Sequence, residues 1–374
     1  MTSLSDLPIR DDLRGKTPYG APQKVVPVAL NVNENTHPVP DDVAADIVAR
    51  VATAIGGVNR YPDREFTELR ESLAHYLGHG LTPENIWAAN GSNEVIQQIL
   101  QAFGGPGRSL LGFTPTYSMY PLLASGTGTV WLAGARDAEF ELSPETAVAE
   151  ITRLDPDIVI LCAPNNPTGT PLSLETIAAA YDAARGMVVV DEAYAEFMPE
   201  GEPSALTLLP GRPRLLVSRT MSKAFAFAGA RVGYLAADPA AVDALRLVRL
   251  PYHLSALTQA AAVGALAHSD EMLGMVGEIR VQRDRLVREL AGLGYRPHRS
   301  GSNFVLFGGV ADPHATFEAL LAQGVLIRDV GIPGHLRVTA GTEAETTAFL
   351  TALASLGRPD GAQSSAAAPV GSES

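Results

Sequence analysis

Three uninterrupted apolar runs constrain the chain most: Ile158-Val-Ile-Leu161, Met187-Val-Val-Val190 and Leu215-Leu-Val217. None carries the polar alternation of a strand with one wet face, so each reads as a central strand buried on both sides. Longer helical patterns separate these runs. The chain is therefore expected to be α/β, with a mostly parallel central sheet flanked by helices. Each run also ends in a polar cluster. The first leads into Ala163-Pro-Asn-Asn-Pro-Thr-Gly169, the second into Asp191-Glu-Ala-Tyr194 and the third into Ser218-Arg-Thr-Met-Ser-Lys223. Ligands of open α/β sheets bind at the carboxyl ends of strands, so three such ends point to one shared site.

The 374 residues are too many for one small core. Residues 1–45 are rich in Pro, Asn and Asp and read as an arm that joins a smaller unit. Residues 46–255 form the expected large domain. From about 256 the pattern changes. A long helical stretch, Thr258 to Leu293, precedes the strand-like Asn303–Phe307, a helix near Pro313–Gln323, and short strands near Val325–Arg328 and Leu336–Thr339. Residues 256–357 are accordingly expected to form a smaller α+β domain. The Ser-, Ala- and Gly-rich stretch 358–374 reads as disordered.

Composition excludes several classes. The net charge of −13 is a poor match to nucleic acid or anionic membranes. No run of about 18 apolar residues or signal-peptide core is seen, so a soluble cytoplasmic protein is expected. The one cysteine, Cys162, cannot form an internal disulfide and reads as a buried core thiol.

The polar clusters supply a particular set of groups. Lys223 follows a strand in a segment otherwise poor in charge, where an amine loses its proton easily. Asp191 ends four apolar residues, where a carboxylate is costly without a cationic partner. Tyr194 and Asn166 stand at neighbouring strand ends. Asn90-Gly-Ser-Asn-Glu94 opens an amphipathic helix, so Ser92 and Asn93 can offer amides and a hydroxyl to an anion. Arg231 adds a forked contact, and Thr220 and Ser222 add hydroxyls. Pyridoxal 5′-phosphate needs these groups: an amine for its aldehyde, a carboxylate for its ring nitrogen, donors for its phenolic oxygen, and a phosphate cradle.

The motifs Asn90-Gly-Ser-Asn-Glu94, Pro115-Thr-Tyr117, Pro164-Asn-Asn-Pro-Thr-Gly169, Asp191-Glu-Ala-Tyr194, Ser222-Lys-Ala-Phe225 and Arg231-Val-Gly-Tyr234 resemble those of the fold-type-I aminotransferases. More narrowly, the chain is similar to the histidinol-phosphate aminotransferases. That match rests on Arg14-Gly-Lys-Thr-Pro-Tyr19, Leu30-Asn-Val-Asn-Glu-Asn35, Asn59-Arg-Tyr-Pro-Asp63, Leu326-Ile-Arg-Asp329 and Leu336-Arg-Val-Thr339, and spans about residues 8–355. The resemblance implies a fold-type-I pyridoxal-phosphate transferase in which Lys223 holds the cofactor as a Schiff base. Asp191 would pair with the ring nitrogen, Asn166 and Tyr194 with the phenolic oxygen. Tyr117 would stack on the ring, while Ser92, Asn93, Ser222 and Arg231 hold the phosphate. Tyr61 would reach the neighbouring subunit's cofactor, making a homodimer with a shared site. Arg337 would bind the α-carboxylate of glutamate or 2-oxoglutarate, and Arg328 and Tyr19 the phosphate of histidinol phosphate. Asn33 falls in the substrate-binding arm. The chain departs from the family at Thr36, where proline usually follows Asn35, and at Asn93, where aspartate is common.

Other signals carry less. His75 and His79 are four apart but lack a third ligand, so a surface helix is expected and no metal. Gly104-Gly-Pro-Gly107 lacks the Lys-Ser/Thr of a P-loop and reads as a turn after a helix. The basic run Arg280 to Arg288 reads as a solvated face. Three alternatives remain: an aromatic amino-acid aminotransferase, a decarboxylase of a phosphorylated amino acid, and the sensor half of a transcription regulator. The last lacks a DNA-binding segment in its first 40 residues.

Overall fold

A computed structural model of the chain describes residues 3–15, 20 and 22–357. The expected disordered stretch 358–374 and Tyr19 lie outside these residues. Among the described residues twelve strands form: β1 (Val28–Ala29), β2 (Ile86–Ala89), β3 (Ser109–Thr114), β4 (Val130–Ala135), β5 (Ile158–Cys162), β6 (Met187–Asp191), β7 (Leu215–Thr220), β8 (Gly233–Ala237), β9 (Arg296–Pro297), β10 (Phe304–Gly308), β11 (Val325–Leu326) and β12 (His335–Thr339).

The principal sheet has seven strands in the order β2-β8-β7-β6-β5-β3-β4. All of its pairings are parallel except those of β8, which runs against both β2 and β7. The three apolar runs are β5, β6 and β7, side by side at its centre and almost wholly buried. Their register sets Cys162 beside Asp191, and Asp191 beside Ser218. Three loops therefore leave the sheet at one level. β4, at the edge, is the most exposed strand of this sheet.

Two smaller sheets follow. β10 lies between β9 and β12, antiparallel to both, and β1 pairs in parallel with β11. The arm thus donates a strand to the late part of the chain. The long helical stretch is two helices, Ala256–Ala267 and Ser269–Gly292. They divide at His268, whose backbone leaves the helical region (φ −119°, ψ 37°) and whose carbonyl caps the second helix through the Met272 amide. Helix Asp41–Ile55 packs on Ala256–Ala267. The basic run is not a solvated face throughout. Arg283 is buried and Arg280 partly so, because both donate to the backbone of residues 196–197, and of the run's four arginines only Arg288 is exposed. His75 is exposed near the end of helix Thr67–Leu77, but His79 lies past that end at φ 52°, so the two do not share a helical face. Residues 104–107 form the turn after helix Ser92–Phe103.

His298 and His335 meet beside β12 with ring nitrogens 3.2 Å apart. The other nitrogen of His335 faces the Pro333 carbonyl at 2.8 Å and must be its donor, so Nε2 of His335 accepts from His298. Burial, and next the neighbouring ring, hold His298 below its ordinary value of 6.5. The unfolded chain thus takes up this proton first. The stability is fully present above pH 6.5 and is lost as pH falls through the lowered folded-state value. His298→Gln is expected to flatten the fall in Tm over that acid range, measured by scanning at stepped pH. An unchanged slope would remove His298 from the titration.

A candidate active site at the strand ends

The loops after β5, β6 and β7, the start of helix Ser92–Phe103, the arm and the ends of β11–β12 enclose one cleft of about 660 Å³. Thirteen of the fifteen expected site residues line it: Asn33, Ser92, Asn93, Tyr117, Asn166, Asp191, Tyr194, Thr220, Ser222, Lys223, Arg231, Arg328 and Arg337. Tyr61 does not. It is 80% exposed and stacks on Tyr252 with ring centroids 4.4 Å apart. Tyr19 lies outside the described residues.

Asp191 ends β6 and is buried. Its carboxylate accepts from Tyr120 Oη at 2.7 Å and Ser218 Oγ at 3.1 Å, both neutral donors. Burial raises its pKa, and those two hydroxyls only partly offset the shift. A carboxylate placed this way is matched to a cationic N–H in the cleft. Sequence reading missed both supporting residues. Tyr120 stands one helical turn after Tyr117, its ring edge-on to that ring at 5.4 Å, and the i, i+3 spacing was the available signal. Ser218 is signalled only by the β6–β7 register.

Tyr194 stands three positions after Asp191, across a short turn. Burial holds its phenol protonated well above the usual range. The Tyr194 oxygen accepts from Asn33 Nδ2 at 2.9 Å and Asn166 Nδ2 at 3.2 Å. Those amide orientations follow from the network. Asn166 Oδ1 accepts from Arg337 at 2.6 Å, and Asn33 Oδ1 from Thr339 at 3.2 Å. With two donors on its oxygen, the Tyr194 proton is left to donate into the cleft.

Lys223 lies at the floor, its amine 3.1 Å from the Val32 carbonyl. Burial lowers its pKa to about 8, with Arg337 adding to the effect, Glu34 opposing it and Arg231 contributing last. Such an amine can be both nucleophile and base near neutral pH. Cys162 also borders the cleft, but burial pushes its thiol up to about 12, which makes it inert.

At the opposite end, β2 turns into helix Ser92–Phe103 through Gly91, at φ 90°. A Cβ on Gly91 would collide with the Arg231 guanidinium, and one on Gly233 with the backbone of Gly91 and Ser92. Glycine at both positions lets the guanidinium lie on the helix start. There it joins Ser92, Thr220, Ser222 and the buried, unpartnered Asn93 Oδ1. Cation, hydroxyls and helix N-terminus make a cradle suited to a phosphate. Amine, buried carboxylate, phenol and cradle fit pyridoxal 5′-phosphate group by group. Arg337 and Arg328 complete the cleft, paired across the backbone through reciprocal bonds of 2.9 Å. Gln23, Glu34, Thr116 and Asp329 also line it, and sequence reading did not single them out. Among the described residues no cluster of three or more metal-ligating side chains occurs.

Comparison with known proteins agrees with this geometry. The family model for aminotransferase class I and II matches residues 26–353. A histidinol-phosphate aminotransferase of Paenarthrobacter aurescens (strain TC1) is 64% identical over 356 residues, covering 94% of this chain and 96% of that protein. That of Thermobifida fusca (strain YX) is 57% identical over 351 residues, again covering 94% and 96%. Among solved structures, histidinol-phosphate aminotransferase from Sinorhizobium meliloti, in complex with pyridoxal-5′-phosphate, superposes with a TM-score of 0.78 at 25% identity, covering 88% and 92%. Aspartate aminotransferase from Thermus thermophilus with maleate superposes at 0.76 and 25%, covering 89% and 92%, so the shared fold does not by itself choose a substrate. Full-length identity of this order decides the narrower group, and the chain belongs to the class I and II aminotransferases and, among them, to the histidinol-phosphate aminotransferases.

Proposed function

We propose that the protein transfers an amino group from L-glutamate to imidazole-acetol phosphate, giving L-histidinol phosphate and 2-oxoglutarate in histidine biosynthesis, in the cytoplasm. The observation that carries this reading is the cleft itself, where a depressed amine, a cation-seeking carboxylate and three arginines share one space. Bound there, pyridoxal 5′-phosphate supplies a carbon that takes the substrate's nitrogen and a ring that accepts the electron pair left at Cα. Lys223 would hold the cofactor through Nζ and, once displaced by the substrate's amine, would act as the general base that carries the proton off Cα and back on the far side of the bridging nitrogen. Asp191 keeps the ring nitrogen protonated, and Tyr194 donates to the phenolic oxygen with Asn166 beside it. Tyr117 covers the ring face. Ser92, Asn93, Thr220, Ser222 and Arg231 hold the phosphate. Arg337 fixes the substrate's α-carboxylate or, in the second half, faces the phosphate end with Arg328. Asn33 contacts substrate from the arm, and Tyr19 helps Arg328 to bind the substrate phosphate.

Two further parts belong to the same reading. Residues 46–255 act as the cofactor-binding domain and 256–357, with the arm 1–45, as the smaller one. The protein works as a homodimer, in which Tyr61 reaches the other subunit's cofactor. Exposed Val58, Tyr61, Leu247, Leu250 and Tyr252 support such a partner, being large apolar groups left on the surface of one chain. The net charge of −13 gives nucleic acid no footprint, and no described helix is long and apolar enough to cross a membrane.

The test mixes cofactor-loaded protein with histidinol phosphate and, separately, phenylalanine. Rapid loss of visible absorbance with histidinol phosphate, restored by 2-oxoglutarate and weak with phenylalanine, is expected. The reverse preference would move the function to aromatic amino acids. Indifference to glutamate, with carbon dioxide released from a phosphorylated amino acid, would make it a decarboxylase.

A further inference from the structure

Tyr194 opens the three-residue turn Ala195–Phe197, whose own hydrogen bonds use the carbonyls of Glu192, Tyr194 and Ala195. The carbonyls of Glu196 and Phe197 point instead at helix Ser269–Gly292. Arg280 donates to the first at 2.7 Å, and Arg283 donates to the second at 2.7 Å. The two arginines are one helical turn apart and so share a face. Arg283 is only 4% exposed, a costly place for a guanidinium unless its donors are satisfied. Its same nitrogen reaches the Ser302 carbonyl at 3.5 Å, and its Nε pairs with Asp284 at 2.9 Å. Ser302 stands two residues before Phe304, whose ring meets the Tyr194 ring edge-on at 5.2 Å. Arg283 therefore grips both the turn that carries Tyr194 and the segment that forms the wall against which its ring packs.

From this geometry we infer that Arg280 and Arg283 are positioning residues, which fix the height of the Tyr194 hydroxyl in the cleft from a helix outside it. The inference rests on the reading of Tyr194 as donor to the cofactor's phenolic oxygen. A donor there draws electron density from that oxygen and weakens its hold on the lysine-side proton. Losing the donor raises the pH at which the visible spectrum changes. The experiment measures that midpoint by absorbance titration for the loaded wild type and for Tyr194→Phe, Arg283→Met, Arg283→Lys and Arg280→Met. Amide hydrogen exchange over residues 195–198 is followed in the cofactor-free proteins. Expected are an upward shift in Tyr194→Phe and a shift of the same sign, at least about half as large, in Arg283→Met. Arg283→Lys should restore much of it, and exchange at 195–198 should quicken in both methionine variants. Arg280 is the less buried of the two, so Arg280→Met serves if Arg283→Met does not fold. A shift in Tyr194→Phe with wild-type midpoints in both methionine variants, whatever their Tm, would overturn the positioning role alone. No shift in Tyr194→Phe itself would overturn the donor reading and this inference with it.

Discussion

Lys223→Ala should leave the protein folded and its transamination at background. The amine is asked both to hold the cofactor and to move a proton, so kcat should fall by about 10⁴-fold, the upper end for a lost general base. The loaded variant should also lack the wild-type visible band, since among the described residues no other amine lines the cleft. Stability should move the other way. The Lys223 pKa is lowered to about 8 by burial, so protonation in the native cleft is uphill compared with the unfolded chain. That cost is absent above the ordinary value of 10.5 and fully present below about 8. Cofactor-free Lys223→Ala is therefore expected to match or exceed the wild type in Tm at pH 7, by calorimetry. A lower Tm with retained turnover would show that Lys223 is structural.

Asp191→Asn should be the second most damaging change. The variant keeps the shape and one of the two accepted bonds, while the other hydroxyl must turn to accept from the new amide N–H, and it cannot hold a proton on the ring nitrogen by charge. A fall in kcat of about 10³-fold is expected, the scale for removing one preorganised electrostatic partner. The pH dependence separates this from a folding defect. The folded-state pKa of Asp191 is raised by burial, so in the cofactor-free protein its ionisation opposes folding. Stability from the neutral carboxyl is present below the ordinary value of 3.8 and lost as pH rises through the raised one. Cofactor-free Asp191→Asn should accordingly be no less stable than the wild type at neutral pH, and more resistant to the alkaline side. Unchanged kcat in a folded Asp191→Asn would refute the pairing.

Much of this site was legible because its residues stand at strand ends, and the strands announce themselves by continuous apolar character. Ile158–Leu161, Met187–Val190 and Leu215–Val217 fell on β5, β6 and β7, and the polar residues after them met in one cleft. What sequence could not show was lateral order. β8 enters the sheet between β2 and β7, antiparallel, and nothing local to Gly233–Ala237 encodes its neighbours. The basic run failed for a related reason. Arg283 looks like surface by composition, yet the carbonyl that satisfies it is Phe197, 86 positions away. The break at His268 was hidden because helical periodicity resumes one residue later. Tyr61 was legible only through resemblance, since in a single chain its surroundings are Tyr252 and solvent.

The arm has a consequence for how the protein comes into being. Asn33 bonds Thr339 across 306 positions of chain, β1 pairs with β11, and Arg337 donates to the Asn31 carbonyl at 2.9 Å. These are among the longest loops the polymer can close, and such closures come late in folding. A ribosome must release residues 336–339 before the cleft has its far wall. Cofactor capture during synthesis would thus mark completion of the chain, and its absorbance could serve as a clock for the last folding event.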